Sequence, residues 1–299
     1  MKTPLSLVAL RYAAAMFITV IFMFPIFWWG LTSIKPASDI FNKDEVVVFD
    51  FKPTLINYRV TVLGESPSML TGGGTASGTT MGTGGENSFD GRKTIFDSIV
   101  IAIGSTIFTL AVSLGAAYAL SRMAFRGNQL YLNWILSHRF LPPIAIIVPL
   151  VFMFHNLGLR DTYLGLILVH SLINLPIAVL LLKSFLDDVP KELDQAAMID
   201  GATRWQSFRM VVVPMIRGGI AATAVLCFVF SWTEFLLSLF LTSEIRTLPV
   251  KITTFVTSTG SEWGFISALG TSAMLPSFIF ILLVQRHLVR GLTMGAIKD

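Results

Sequence analysis

The sequence predicts an all-α, polytopic membrane protein with six transmembrane helices. Three observations carry this reading. Hydrophobic residues make up 54% of the 299, and charged ones only 13%, against about 25% charged in an average soluble chain. The mean hydropathy is +0.72, so lipid is the main solvent. Six apolar runs are long enough to cross a roughly 30 Å hydrocarbon core, which takes about 20 helical residues.

The first run, residues 8–32, is apolar apart from Arg11 near its start. Lys2 before it and Arg11 at its start give the basic front of a secretory leader, but the run is long and lacks a small-residue cleavage site. It reads as an uncleaved anchor, with Trp28 and Trp29 placed for an interface belt. Residues 35–94 are a long polar connection. Its centre, TGGGTASGTTMGTGG from Thr71 to Gly85, has linker composition and reads as a tolerated flexible insertion rather than a receptor contact. The flank 49–63 is more apolar and is expected to be ordered.

The second run, 95–120, carries Gly104, Ser105, Ser113, Gly115, Ala116 and Ala117, small residues that let helices approach closely. The third, 131–154, holds Pro142-Pro143, a pair that kinks a helix or marks its true start. The fourth, 163–182, holds Asn174 and Pro176. The fifth and sixth run over 218–241 and 265–284.

Lys and Arg counts orient these spans. With the N-terminus inside, the inner segments hold Lys2, Arg11, Arg122, Arg126, Lys183, Lys191, Arg204, Arg209, Arg217, Arg286, Arg290 and Lys298. The short outer loops hold only Arg160, Arg246 and Lys251. Both termini and the segment after the fourth span are therefore expected in the cytoplasm.

That segment, PKELDQAAMIDGATRWQSFRMVVVP over 190–214, is too long for a simple turn. It reads as a short helix ending at Gly201, a glycine bend, and a second short helix with Trp205, Phe208 and Met210 at near-helical spacing. Two amphipathic helices held at a membrane face suit another protein. The pattern resembles the EAA loop of the membrane subunits of binding-protein-dependent ATP-binding-cassette importers. Gln195-Ala196-Ala197, three residues, Gly201, nine residues, Val211, and Val213-Pro214 keep its spacing. Two departures are Gln195 for the usual glutamate and Val211-Val212-Val213-Pro214 for the usual Ile-x-Leu-Pro. The ending Gly-Leu-Thr-Met-Gly-Ala and the stretches LPPIAIIVPL, GLRDTYLGLIL and NLPIAVLLLKSF resemble the carbohydrate-type permeases, near the smaller maltose-type subunit.

The resemblance implies a type I importer permease fold and a single permease domain over 1–299. Its parts are an extracytoplasmic loop with the Gly-rich insertion (35–94), core spans (95–288) and a cytoplasmic ATPase-docking loop (190–214). It assigns docking to Glu192, Gln195, Ala196, Ala197, Asp200, Gly201, Ala202, Phe208 and Pro214. It assigns a tail contact with the ATPase to Gly291, Thr293 and Gly295. The implied partners are a second homologous permease, two ATP-binding subunits and an extracytoplasmic sugar-binding protein, in a bacterial inner membrane. ATP and Mg would reside on the ATP-binding subunits. The cargo would be a sugar or polyol, with glycerol phosphate as an alternative.

Enzymatic roles find little support. Cys227 is the single cysteine, the four histidines form no metal-binding pair, and no phosphate-binding Gly-Lys-Ser/Thr loop is present. His170 and Ser171 lack a nucleophile pattern. A secondary transporter would need paired ionisable residues within its spans, and only Glu234 and Arg139 are candidates. Glu234, in Trp232-Thr233-Glu234-Phe235, fits either a pathway lining or an outer-interface position. Trp232 is grouped with it, since the family often has Trp-Asn-Glu-Phe there. Arg139 fits an interfacial cation or a partner of Glu234. Asn174 fits a broken helix on the path or an interhelical hydrogen bond.

Overall fold

The computed structural model describes residues 5–40, 48–65, 90–123, 125–257 and 260–294, with the backbone alone at 5–6, 257 and 286–294. Four helices are each long and apolar enough to span a membrane, and the number rises to six if each of two bent pairs counts as one span. The only sheet among the described residues is a two-residue hairpin, β1 (Val256–Thr257) with β2 (Gly260–Ser261). The helices divide between two compact units.

The first unit comprises Met1–Lys93 and Ile252–Met274. Its anchor, α1 (Leu5–Ser33), runs unbroken through Pro25 and presents Phe17, Ile21, Phe24 and other large apolar side chains outward. That surface suits lipid, where the backbone must satisfy itself as helix. After α2 (Ala37–Ile40), the expected order around 49–63 is found: α3 spans Ile56–Thr61. Asn57 explains it. Its buried amide donates to the Ser33 and Lys35 carbonyls, both at 2.9 Å, which closes the C-terminal end of α1. Tyr58 and Ser33 hydroxyls meet at 2.8 Å. The Thr71–Gly85 tract lies outside the described residues.

The second unit, Thr94–Lys251 with Leu275–Asp299, holds most of the spans. Helix α4 (Gly91–Arg122) enters it from the first unit. Next come α5 (Asn128–Ser137), a 3-10 turn (His138–Phe140) and α6 (Pro143–Asn156). The α5 and α6 arms meet at 95°. Pro142 and Pro143 therefore start a new helix, as their lost N–H groups dictate.

Helix α7 (Tyr163–Asp187) packs along α11 (Arg217–Trp232). Around them, one cluster gathers Ile101, Leu150, Phe154, Leu166, Val169 and Leu237, and another gathers Ala117, Leu182, Leu186, Val212 and Ile216. Gly219 of α11 makes the approach close. A Cβ there would lie 2.3 Å from Cγ of Phe185.

Of the two readings open for Asn174, the broken helix is not found, because α7 runs continuously through Asn174 and Pro176. Asn174 instead donates to the Cys227 carbonyl at 3.3 Å, the interhelical role. The fifth span is not continuous: α11 stops at Trp232, and α12 (Leu236–Leu241) restarts after a gap. Then follow α13 (Leu248–Ile252), a 3-10 turn (Thr253–Phe255), the hairpin, and α14 (Trp263–Met294). Outside α12, the carboxylate of Asp161 accepts from the N–H groups of Ser243, Glu244 and Ile245 and from the Ser243 hydroxyl. Burial opposes charge on this carboxyl, but those donors outweigh it and hold Asp161 below the ordinary carboxylate range.

Candidate functional site

The 190–214 segment folds as two arms about a glycine. Helix α8 (Lys191–Ile199) carries Glu192 and Asp194 in its first turn, the favourable end for acids. Asp200 closes it, and Gly201 follows at φ +89°, a left-handed conformation that glycine adopts without strain. Thr203 and Gln206 then form a reciprocal capping box on α9 (Arg204–Ser207). A π-helical turn (Phe208–Val212) and α10 (Val213–Met215) complete the segment. Glu192, Gln195, Ala196, Asp200, Gly201 and Pro214 are exposed, and Ala197 and Ala202 are half-buried. Ile199 is 85% exposed, Trp205 66% and Met210 71%. These are the most exposed large apolar side chains of the segment. Phe208 points the other way. It is buried, 4.7 Å from the Tyr118 ring and 5.3 Å from that of Trp205, so it roots the arms rather than facing outward.

A second constellation lies within the spans. Glu234 stands in the break between α11 and α12, and its carboxylate accepts from the N–H groups of Leu237 and Ser238 and from the Ser238 hydroxyl. It thus satisfies free donors at the start of α12. Buried His170 of α7 bridges the break: Nδ1 meets Ser231 Oγ at 2.7 Å, Nε2 meets Ser238 Oγ at 3.0 Å, and Glu234 Oε2 lies 3.4 Å from Nε2. Ser105 of α4 donates to Ser231 at 2.8 Å. Beside this chain is a cavity of about 140 Å³ lined by Arg139, His170, Ile173, Asn174, Phe230, Ser231 and Glu234. Arg139 donates to the Ile173 carbonyl at 3.2 Å and lies 5.0 Å over the Phe230 ring. Among the described residues no group of three metal-ligating side chains converges.

A loop surface beside a span bundle of this kind has a match in known proteins. Residues 108–294 match the pattern of the binding-protein-dependent transport system inner membrane component. The chain belongs to that family. The permease is 33% identical over 291 residues to the sulfoquinovosyl glycerol transport system permease protein SmoH of Agrobacterium fabrum, covering 97% of this chain and 93% of that one. It is 32% identical over 280 residues to the trehalose transport system permease protein SugB of Mycobacterium tuberculosis, covering 92% of each. Its fold is similar to that of a bacterial ABC transporter involved in the import of the acidic polysaccharide alginate. The TM-score there is 0.69 at 16% identity, covering 96% of this chain and 98% of the other. The type I importer permease fold is thereby established, and the chain is a multi-pass inner-membrane transport component.

Of the pathway candidates, the permease brings Asn174 and Glu234 to one cavity. Trp232 is buried and stacks on Phe228 at 5.6 Å instead. Arg139 shares that cavity with Glu234. Gly291 and Thr293 lie in the last turns of α14, and Gly295 lies outside the described residues. Sequence reasoning missed Ser231 and Ser238 as partners of His170, and Ser105 as the partner of Ser231. The available signal was proximity alone: Ser231 and Ser238 flank Glu234 at three and four residues, but the helix break between them put their convergence beyond any helical-spacing rule.

Proposed function

We propose that this permease moves a sugar or related polyol into the cytoplasm as one of two homologous membrane subunits. Two ATP-binding subunits dock on 190–214, and an extracytoplasmic binding protein delivers the cargo. The observation that carries the docking is the bent pair α8–α9, which is exposed along Gln195, Ile199, Gly201 and Trp205 and rooted by Phe208. The sugar class rests on the relatives' names. The orientation rests on the Lys and Arg distribution, which puts both termini and the docking loop in the cytoplasm.

In this reading the chain hydrolyses nothing itself. ATP and Mg are held by the ATP-binding subunits, whose closure moves the docked α8–α9 pair. The spans then shift between inward- and outward-open states, and the α11–α12 break held by Glu234 and His170 faces the path. The last turns of α14, with Gly291 and Thr293, and Gly295 beyond them, reach toward the same subunits.

Mild-detergent purification of the tagged chain from its native membrane tests the assembly. Co-purification of an ATP-binding subunit and a second permease is expected. Recovery of this chain alone, under conditions that keep a known importer whole, would overturn the reading.

A further inference from the structure

The docking arms could hang from the bundle by loose backbone alone. They do not. Asp194, on the inner face of α8, is 6% exposed. Its Oδ2 lies 2.8 Å from Nε of Arg122, the last residue of α4, and both side chains are nearly fully buried. The contact is an ion pair lying off the linear hydrogen-bond direction, so attraction of charge rather than a directed bond supplies it. The other Asp194 oxygen accepts from Ser207 of α9 at 2.9 Å and from the Tyr118 hydroxyl of α4 at 3.5 Å. Arg122 also donates to the Val189 carbonyl at 2.8 Å. One residue back, Ser121 donates to Asp187 at 2.6 Å. A single buried carboxylate therefore holds α8, α9 and the end of α4 together, on opposite sides of the Gly201 bend.

Stability does not explain such a pair well. Replacing buried ion pairs with apolar residues is often neutral or stabilising, and in some proteins such a pair serves instead to fix one geometry. Here the geometry fixed is that of the docking arms against one span. We propose that Arg122–Asp194 is a positioning pair that makes the docking helices and the C-terminal end of α4 move as one body. Motion imposed on α8 then reaches α4 through this pair, in addition to passing along the backbone into α7 and α11. The proposal rests on the docking reading above.

The test is a double-mutant cycle in the purified, vesicle-reconstituted complex, reading sugar uptake per ATP hydrolysed. Asp194→Asn and Arg122→Gln are each expected to lower that ratio about tenfold, within the usual range of a coupling between sites. The double variant is expected to fall no further, because one interaction has been removed in all three. Ser207→Ala leaves no charge unpaired, and it answers the question if the charge variants fail to insert. A fall of about threefold is expected there, as one donor to Asp194 is lost. An unchanged ratio in complexes that still hold the ATP-binding subunits, or losses that multiply in the double variant, would overturn the positioning role alone. Failure of the wild-type chain to hold those subunits would overturn the docking reading and this proposal with it.

Discussion

Replacing Gly201 with alanine isolates the bend from everything around it. A Cβ at this position meets nothing within 4 Å, so no clash is introduced. What remains is the backbone: φ is +89°, and an ordinary L-residue loses roughly 1–2 kcal/mol there relative to glycine. About 1.4 kcal/mol is a factor of ten in population. Gly201→Ala therefore depletes the native bend by roughly five- to thirtyfold without touching the core. Asparagine tolerates the left-handed region, so Gly201→Asn should recover most of the loss. The assay is uptake per ATP hydrolysed by the reconstituted complex, with melting temperature as the control for folding. The alanine variant should melt near the wild type yet transport several-fold less per ATP, and asparagine should fall between. Equal coupling in all three proteins would refute the reasoning. So would asparagine worse than alanine, because strain would then not be the cause.

Three further outcomes follow from single contacts. Gly165→Ala puts a Cβ 2.1 Å from the Leu159 carbonyl oxygen, backbone that cannot step aside. Overpacking of that kind costs about 1–3 kcal/mol or more, seen as a lower melting temperature in detergent. Asp161→Asn keeps a side chain that accepts the positive φ of 57° but loses charge-assisted bonds to residues 243–245, on the order of 1–3 kcal/mol. Because folding lowers the Asp161 pKa, its contribution is full above the ordinary carboxylate value and fades as pH falls through the lowered one. The wild type, not the variant, should lose melting temperature over that acid window. Glu234→Gln replaces one acceptor oxygen by a donor facing the Ser238 N–H or the Leu237 N–H. Uptake should fall at least several-fold while the chain still inserts, and unchanged uptake would detach Glu234 from transport.

The spans were legible because crossing lipid requires a length and composition that leave a plain trace. The Gly201 bend was legible for a similar reason, since only a few residues accept a positive φ. Where the helices break was less so. Hydropathy registers Trp232 to Leu241 as one apolar run, but it does not register that the Glu234 carboxylate can take over the donors of a new helix start. Conversely, Pro176 suggested a break that α7 does not make. A proline removes one helical hydrogen bond, yet α7 continues through it, packed along α11. The Arg122–Asp194 contact was invisible for another reason. The two residues lie far apart in the chain and meet only because the last turn of α4 packs against the first turn of α8, which no local pattern encodes.

The central claim, that 190–214 receives an ATP-binding subunit, is tested most directly at Ile199. A photo-crosslinking residue placed there, at the most exposed apolar position of the loop, is irradiated in intact native membranes. The account predicts an adduct with an ATP-binding subunit, formed at Ile199 and absent from the same residue placed at Ser243. An adduct from Ser243 alone, or none from Ile199 in membranes where uptake is active, would contradict it.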